Sequence, residues 1–182
     1  MRWIAALITF VLSAVFAHIV VINAVPERIM SKVQSKMAER GVPVNGWYAS
    51  PRMTPQTQTV VRPSPDLSYA ICRIDTSVEP VLLSAPTSET YGSLSVFDDR
   101  TNNVFVASLR DGSDFSGVLV HPPGELPEEV DAAVATVEMD GPGLALIRRL
   151  APTAETHEMA TALIGDAVCS AAGAQTSAPT RP

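Results

Sequence analysis

Leu67-Ser68-Tyr69-Ala70-Ile71-Cys72-Arg73-Ile74 opens a series of short β-forming runs, and that series decides the fold. After it come Val81 to Ala85, Tyr91 to Phe97, Asn103 to Leu109 and Gly117 to Val120. The breaks between them carry turn chemistry: Glu79-Pro80, Pro86-Thr87-Ser88, Asp98-Asp99-Arg100-Thr101-Asn102 and Asp111-Gly112-Ser113. Proline presets φ, glycine accepts positive φ, and Asp, Asn and Ser side chains bond to nearby backbone. Short strands broken at such intervals predict an all-β sandwich or barrel. A sixth run, Ala132 to Met139, precedes Asp140-Gly141-Pro142-Gly143, and Pro122, Pro123 and Pro127 predict a long irregular loop before it.

Towards the C-terminus the apolar period changes. Leu144, Leu146, Ile147 and Leu150 suggest a short helix, and Ala160, Leu163, Ile164, Ala167, Val168 and Ala171 predict a second at i, i+3, i+4, i+7 spacing. Thr153 is its expected N-cap, with Glu155 and Glu158 near the positive end of the helix dipole. The Ala, Ser, Thr and Pro beyond Gly173 predict a disordered tail over residues 173–182, leaving 63–172 as the folded domain.

On the other side of the series, Trp3 to Val25 is almost continuously apolar and carries no formal charge, interrupted by Thr9, Ser13, His18 and Asn23. About 20 residues at 1.5 Å each cross the hydrocarbon core. We read residues 1–25 as a single-pass transmembrane anchor. The competing reading is a cleaved signal peptide, because Arg2 supplies a basic start and Val15-Phe16-Ala17 a processing site. The apolar run continues well past that site, which favours the anchor.

Pro26 is expected to end or kink this helix. Ile29, Met30, Val33 and Met37 then recur at helical spacing opposite Arg28, Lys32, Gln34 and Lys36, so residues 26–41 read as an amphipathic juxtamembrane helix stopping at Gly41. It lies in the interface, with Trp47 and Tyr48 nearby, or is a simple stalk or a helix packed on the domain. Residues 42–62 are the linker, and the Pro, Thr, Gln and Ser between Ser50 and Pro65 favour extended chain or a lead-in strand. The basic residues Arg28, Lys32, Lys36 and Arg40 outnumber Arg2, which by the positive-inside rule points the bulk of the chain inward. Basic residues on an interfacial helix also serve lipid headgroups on either side.

At 182 residues there is room for one ordinary domain and an appendage. The net charge of −6 and the absence of a basic patch argue against nucleic acid as a partner. Cys72 and Cys169 lack the close spacing of zinc or thiol redox motifs. They are either one disulfide clamping the last helix to the sheet, or two small buried residues, the simpler reading. No cofactor is implied, since there is no phosphate loop, no GxSxG elbow and no His-Glu-x-x-His. His18 lies in the apolar segment, His121 precedes two prolines on an expected loop, and His157 falls in the first turn of the last helix, so no activated nucleophile is indicated. Asp66, Asp75, Asp98, Asp99, Asp111 and Asp114 fall at strand ends or turns, where Asp forms turns and only in a cluster binds Ca²⁺ or a sugar. Tyr69 and Tyr91 stand near strand starts, to pack or to line a cleft.

Ser64-Pro65-Asp66-Leu67-Ser68-Tyr69-Ala70, Ile74-Asp75-Thr76-Ser77-Val78-Glu79-Pro80-Val81, Tyr91-Gly92-Ser93-Leu94 and Asn103-Val104-Phe105 occur in the order of a recognisable pattern. Together they resemble a bacterial family catalogued as domain of unknown function 1254. Gly143 to Leu150 is similar to the family's segment near its arginine helix, and the likeness runs from about Arg62 to Cys169. Ser64 and Leu67 stand where the family has Asn and Thr. The resemblance implies an immunoglobulin-like β-sandwich with C-terminal helices. It also implies a companion protein carrying the 1214-type domain that relatives often contain. No established activity comes with it.

Two expectations follow. The first is a non-enzymatic envelope module, anchored in the membrane with its domain on the periplasmic side, docking that companion. The second is half of a ligand-binding or enzymatic site for a polar molecule such as a sugar, lined by Asp66, Tyr69, Asp75, Tyr91, Asp98 and Arg100.

Overall fold

The computed structural model describes residues 2–54, 63–124 and 131–172. Helix α1 (Arg2–Glu39) is followed by β1 (Trp47–Ala49), β2 (Leu67–Asp75), β3 (Val81–Ser84), β4 (Gly92–Phe97), β5 (Asn103–Ser108), β6 (Val118–His121), β7 (Ala135–Glu138) and β8 (Pro142–Leu150). Helix α2 (Ala154–Ala162), a 3-10 turn (Leu163–Asp166) and β9 (Val168–Ala171) close the domain. One sheet has the order β1-β2-β8-β4-β5 and the other β7-β6-β3-β9. All pairs are antiparallel except β6–β7, which is parallel. A parallel pair cannot close through a hairpin, so the chain makes a longer crossover between these strands.

Alternation of side chains builds the core. Along β2, Ser68, Ala70, Cys72 and Ile74 point inward while Tyr69, Ile71 and Arg73 point out. Leu94 and Val96 of the first sheet meet Val81, Leu83, Val118 and Val120 of the second, all fully buried. Each such side chain contributes about 1.5–3 kcal/mol on burial. A disulfide joins Cys72 on β2 to Cys169 on β9, tying one sheet to the other. Its partner element is therefore a strand, where a helix was expected.

The five strands read from Leu67 to Val120 and the sixth before Asp140 lie where the sequence puts them. Five regions differ. Leu144, Leu146, Ile147 and Leu150 belong to β8, because this strand sits between β2 and β4 and buries Gly143, Ala145, Ile147 and Arg149 while its leucines occupy the other face. Apolar residues on both faces erase the period of two. Gly143 is required there, since a Cβ would lie 2.7 Å from the Phe97 carbonyl oxygen.

The predicted last helix ends at Ala162. Thr153 does cap it: its hydroxyl accepts from Thr156 N–H at 3.1 Å, and Thr156 Oγ1 accepts from Thr153 N–H at 2.9 Å. Beyond the 3-10 turn, Val168 to Ala171 pair with β3, whose backbone groups on that side would otherwise lack ladder partners. Trp47 to Ala49, assigned to the linker, form an edge strand on β2 too short to show a pattern. His121 ends β6 and is buried, its Nδ1 2.9 Å from the Pro122 carbonyl, so it is not a solvated loop residue. Helix α1 continues through Pro26 as one element, although proline supplies no N–H to the turn before it. Residues 55–62 of the linker and the tail over 173–182 lie outside the described residues.

Candidate functional site

The site begins where α1 meets the end of the larger sheet. Gln34 Nε2 donates to the Gly143 carbonyl of β8 at 2.5 Å, and Gln34 Oε1 accepts from Arg73 Nε of β2 at 2.9 Å. Arg73 also donates to the Val42 carbonyl at 3.2 Å, and Met30 is buried beneath. Eleven residues earlier on α1, Asn23 Oδ1 accepts from Arg100 in the β4–β5 turn at 3.1 Å. That spacing is about 16 Å of helix. Thus α1 crosses the sheet end from β2 and β8 towards β4 and β5, and its apolar part continues beyond.

A groove of about 530 Å³ lies along this junction, lined by Glu27, Ser31, Gln34, Arg73, Asp75 and Asp99 among others. Burial raises the Asp99 carboxyl above the usual aspartate range, helped by Asp98, Glu27 and Asp140, while Arg100 opposes. The carboxylates are mostly engaged locally. Asp75 Oδ1 accepts from Ser77 N–H at 3.0 Å and from its hydroxyl at 2.6 Å. Asp98 Oδ1 accepts from the N–H groups of Arg100 and Asn102 at 2.9 and 2.8 Å, and its Oδ2 from Asn102 Nδ2 at 2.7 Å, which closes the turn. Among the described residues no group of His, Cys, Asp and Glu is arranged to hold a metal ion.

The six residues expected to share a pocket separate to two ends of the larger sheet. Asp75, Asp98 and Arg100 lie at the α1 end. Asp66, Tyr69 and Tyr91 lie at the other, where the Asp66 carbonyl accepts from Ala151 N–H at 2.7 Å, Tyr69 Oη accepts from Ser64 N–H at 2.8 Å and the Tyr91 carbonyl accepts from Leu150 N–H at 2.9 Å. Nine residues of β2 between Leu67 and Asp75, about 30 Å of strand, keep Asp66 and Asp75 apart.

Two arginines at that far end, part of the segment that resembles the family's, are absent from the expected site residues. Arg149 is 2% exposed, donating to the Pro86 carbonyl at 2.5 Å and to Ser88 Oγ at 3.2 Å, while its Nε has no partner. Burial pushes its pKa down. Arg148 points to the opposite face of the sheet. The available signal was two consecutive arginines inside an apolar run of an acidic chain.

The model of a family described as "Protein of unknown function (DUF1254)" matches residues 44–167, about two thirds of the chain. The fold is similar to the crystal structure of the VPA0106 protein from Vibrio parahaemolyticus, with a TM-score of 0.64 at 17% identity over 86% of this chain. The match spans 37% of the Vibrio chain. No curated protein matches.

Proposed function

We propose that this chain, which belongs to the DUF1254 family, is a membrane-anchored, non-catalytic module of the bacterial envelope that holds its β domain at the bilayer surface and docks a companion protein. One observation carries the reading. Every residue of α1 from 2 to 23 is exposed, at a mean hydropathy of 2.6 over its most apolar stretch, whereas its later residues are hydrogen-bonded into the domain. An apolar surface of that size is costly in water and is satisfied by lipid. The Cys72–Cys169 disulfide supports a periplasmic domain, because such bonds persist in oxidising compartments. This outweighs the count of basic residues after the apolar segment. The two mainly antiparallel sheets support the finer description of an immunoglobulin-like sandwich, with the parallel β6–β7 pair as a local departure.

The companion of this reading is a protein carrying the 1214-type domain, the partner that the family resemblance implies. The test is a phosphatase fusion after Pro182, active only outside the cytoplasm, beside a cytoplasm-active reporter at the same point. Phosphatase activity together with a crosslinked companion supports the proposal. Activity of the cytoplasmic reporter alone, or recovery of this chain alone after crosslinking in membranes, contradicts it.

A further inference from the structure

On the outer face of the larger sheet, Tyr69, Arg148, Ser93 and Ser108 lie side by side across β2, β8, β4 and β5. An open groove of about 380 Å³ lies over this row, lined by Tyr91, Ser93, Val106, Ser108, Arg110 and Arg148 together with Gly92 and Ala107. Two guanidinium groups and three hydroxyls face it, and among the described residues no carboxylate lines it, in a chain whose net charge is −6.

Arg148 is the under-compensated member. Its Nε is sealed from solvent without an acceptor, and its NH2 makes one long hydrogen bond, 3.4 Å to Ser95 Oγ. Among the described residues no hydrogen bond from its NH1 accompanies that one. A partly buried cation with so little compensation is stabilised by a negatively charged acceptor. Tyr91 Oη and Ser93 Oγ already hold each other at 3.1 Å, so their orientation is set in advance. Arg110 is exposed at the rim.

We propose that this groove binds an oxyanion, a carboxylate or phosphate group, with Arg148 as the seat, Arg110 as the entry charge and Ser93 and Tyr91 as hydroxyl donors. Serine 93 is four residues from Phe97 at the α1 end of β4, about 13 Å along the strand, which favours a dissolved anion over a lipid headgroup. The inference is independent of the anchor, since the groove is built from the β domain alone.

The probe is inorganic phosphate, titrated by ³¹P line broadening into the full chain in phosphatidylcholine nanodiscs. Saturable broadening is expected. Arg148→Gln should weaken it by about tenfold, the worth of one charge-assisted hydrogen bond. Arg110→Gln, at an exposed position, should weaken it several-fold without disturbing folding, and Arg52→Gln, beside Pro152, should leave it unchanged. Repeating the titration with phosphatidylglycerol added, at salt high enough to screen surface charge, separates the sources. An unchanged affinity supports a dissolved anion, and a weaker one shows headgroup phosphate competing for the same groove. No saturable broadening, or equal broadening in wild type and both groove variants, overturns the proposal.

Discussion

The two halves of α1 are one helix by hydrogen bonding, yet they are held by different surroundings. From Arg2 to Asn23 no side chain touches a core, and Trp3 is 89% exposed. From Pro26 onward Met30 is buried and Gln34 is bonded to two strands of the sheet. The first half depends on solvent and the second on the domain. Because no break in the helix separates them, the orientation of the apolar half is coupled to that of the sheet, which makes this chain more than a domain on a loose tether.

The largest expected effect comes from removing the first half. Deleting residues 2–22 should move the protein wholly from the membrane to the soluble fraction without unfolding the β domain, read by fractionation and circular dichroism. Next, Leu94→Ala, at a fully buried position, should lower the unfolding free energy by about 2–5 kcal/mol and leave membrane partition unchanged. If both properties moved together, the two halves would not be held independently. Arg73→Ala acts at the junction, where it removes the guanidinium donor to Gln34 Oε1 and to the Val42 carbonyl while Gln34 Nε2 keeps Gly143. A loss of about 1–3 kcal/mol is expected, with faster hydrogen exchange in the last turns of α1.

The smallest effect belongs to Asp99. Its carboxyl titrates above the unfolded value, so the folded chain binds the proton more readily and Asp99 favours folding only below the ordinary aspartate range. That support is lost as pH rises through the raised value. Asp99→Asn should therefore raise the unfolding free energy near neutral pH by less than about 1 kcal/mol after solvent screening, read as a small rise in melting temperature, and the gain should vanish near pH 3. A larger gain in acid than at neutrality would contradict the sign.

Much of this was legible in the sequence because it is local. Strands β2 to β6 follow from β-forming runs and turn residues, and the cap of α2 from Thr153. The failures share a cause in tertiary pairing. β8 lies between β2 and β4 with Ala145 and Ile147 buried on one face and the half-exposed Leu144 and Leu146 on the other, which hides its period of two, and Val168 to Ala171 leave a helical stripe because β3 offers them a ladder. The candidate site was less visible. Its six expected members lie at opposite ends of β2, a separation that spacing along the chain does not encode. Gln34 meets Arg73 and Gly143 only through the fold, and the groove around Arg148 depends on register across four strands.

The central claim, that the apolar half of α1 stays attached and in lipid, is tested most directly by intact-mass measurement of the protein recovered from carbonate-washed membranes. The account predicts a membrane-retained chain whose mass includes Trp3 to Val25. A soluble product lacking residues up to about Ala17 would contradict it and identify that segment as a cleaved signal.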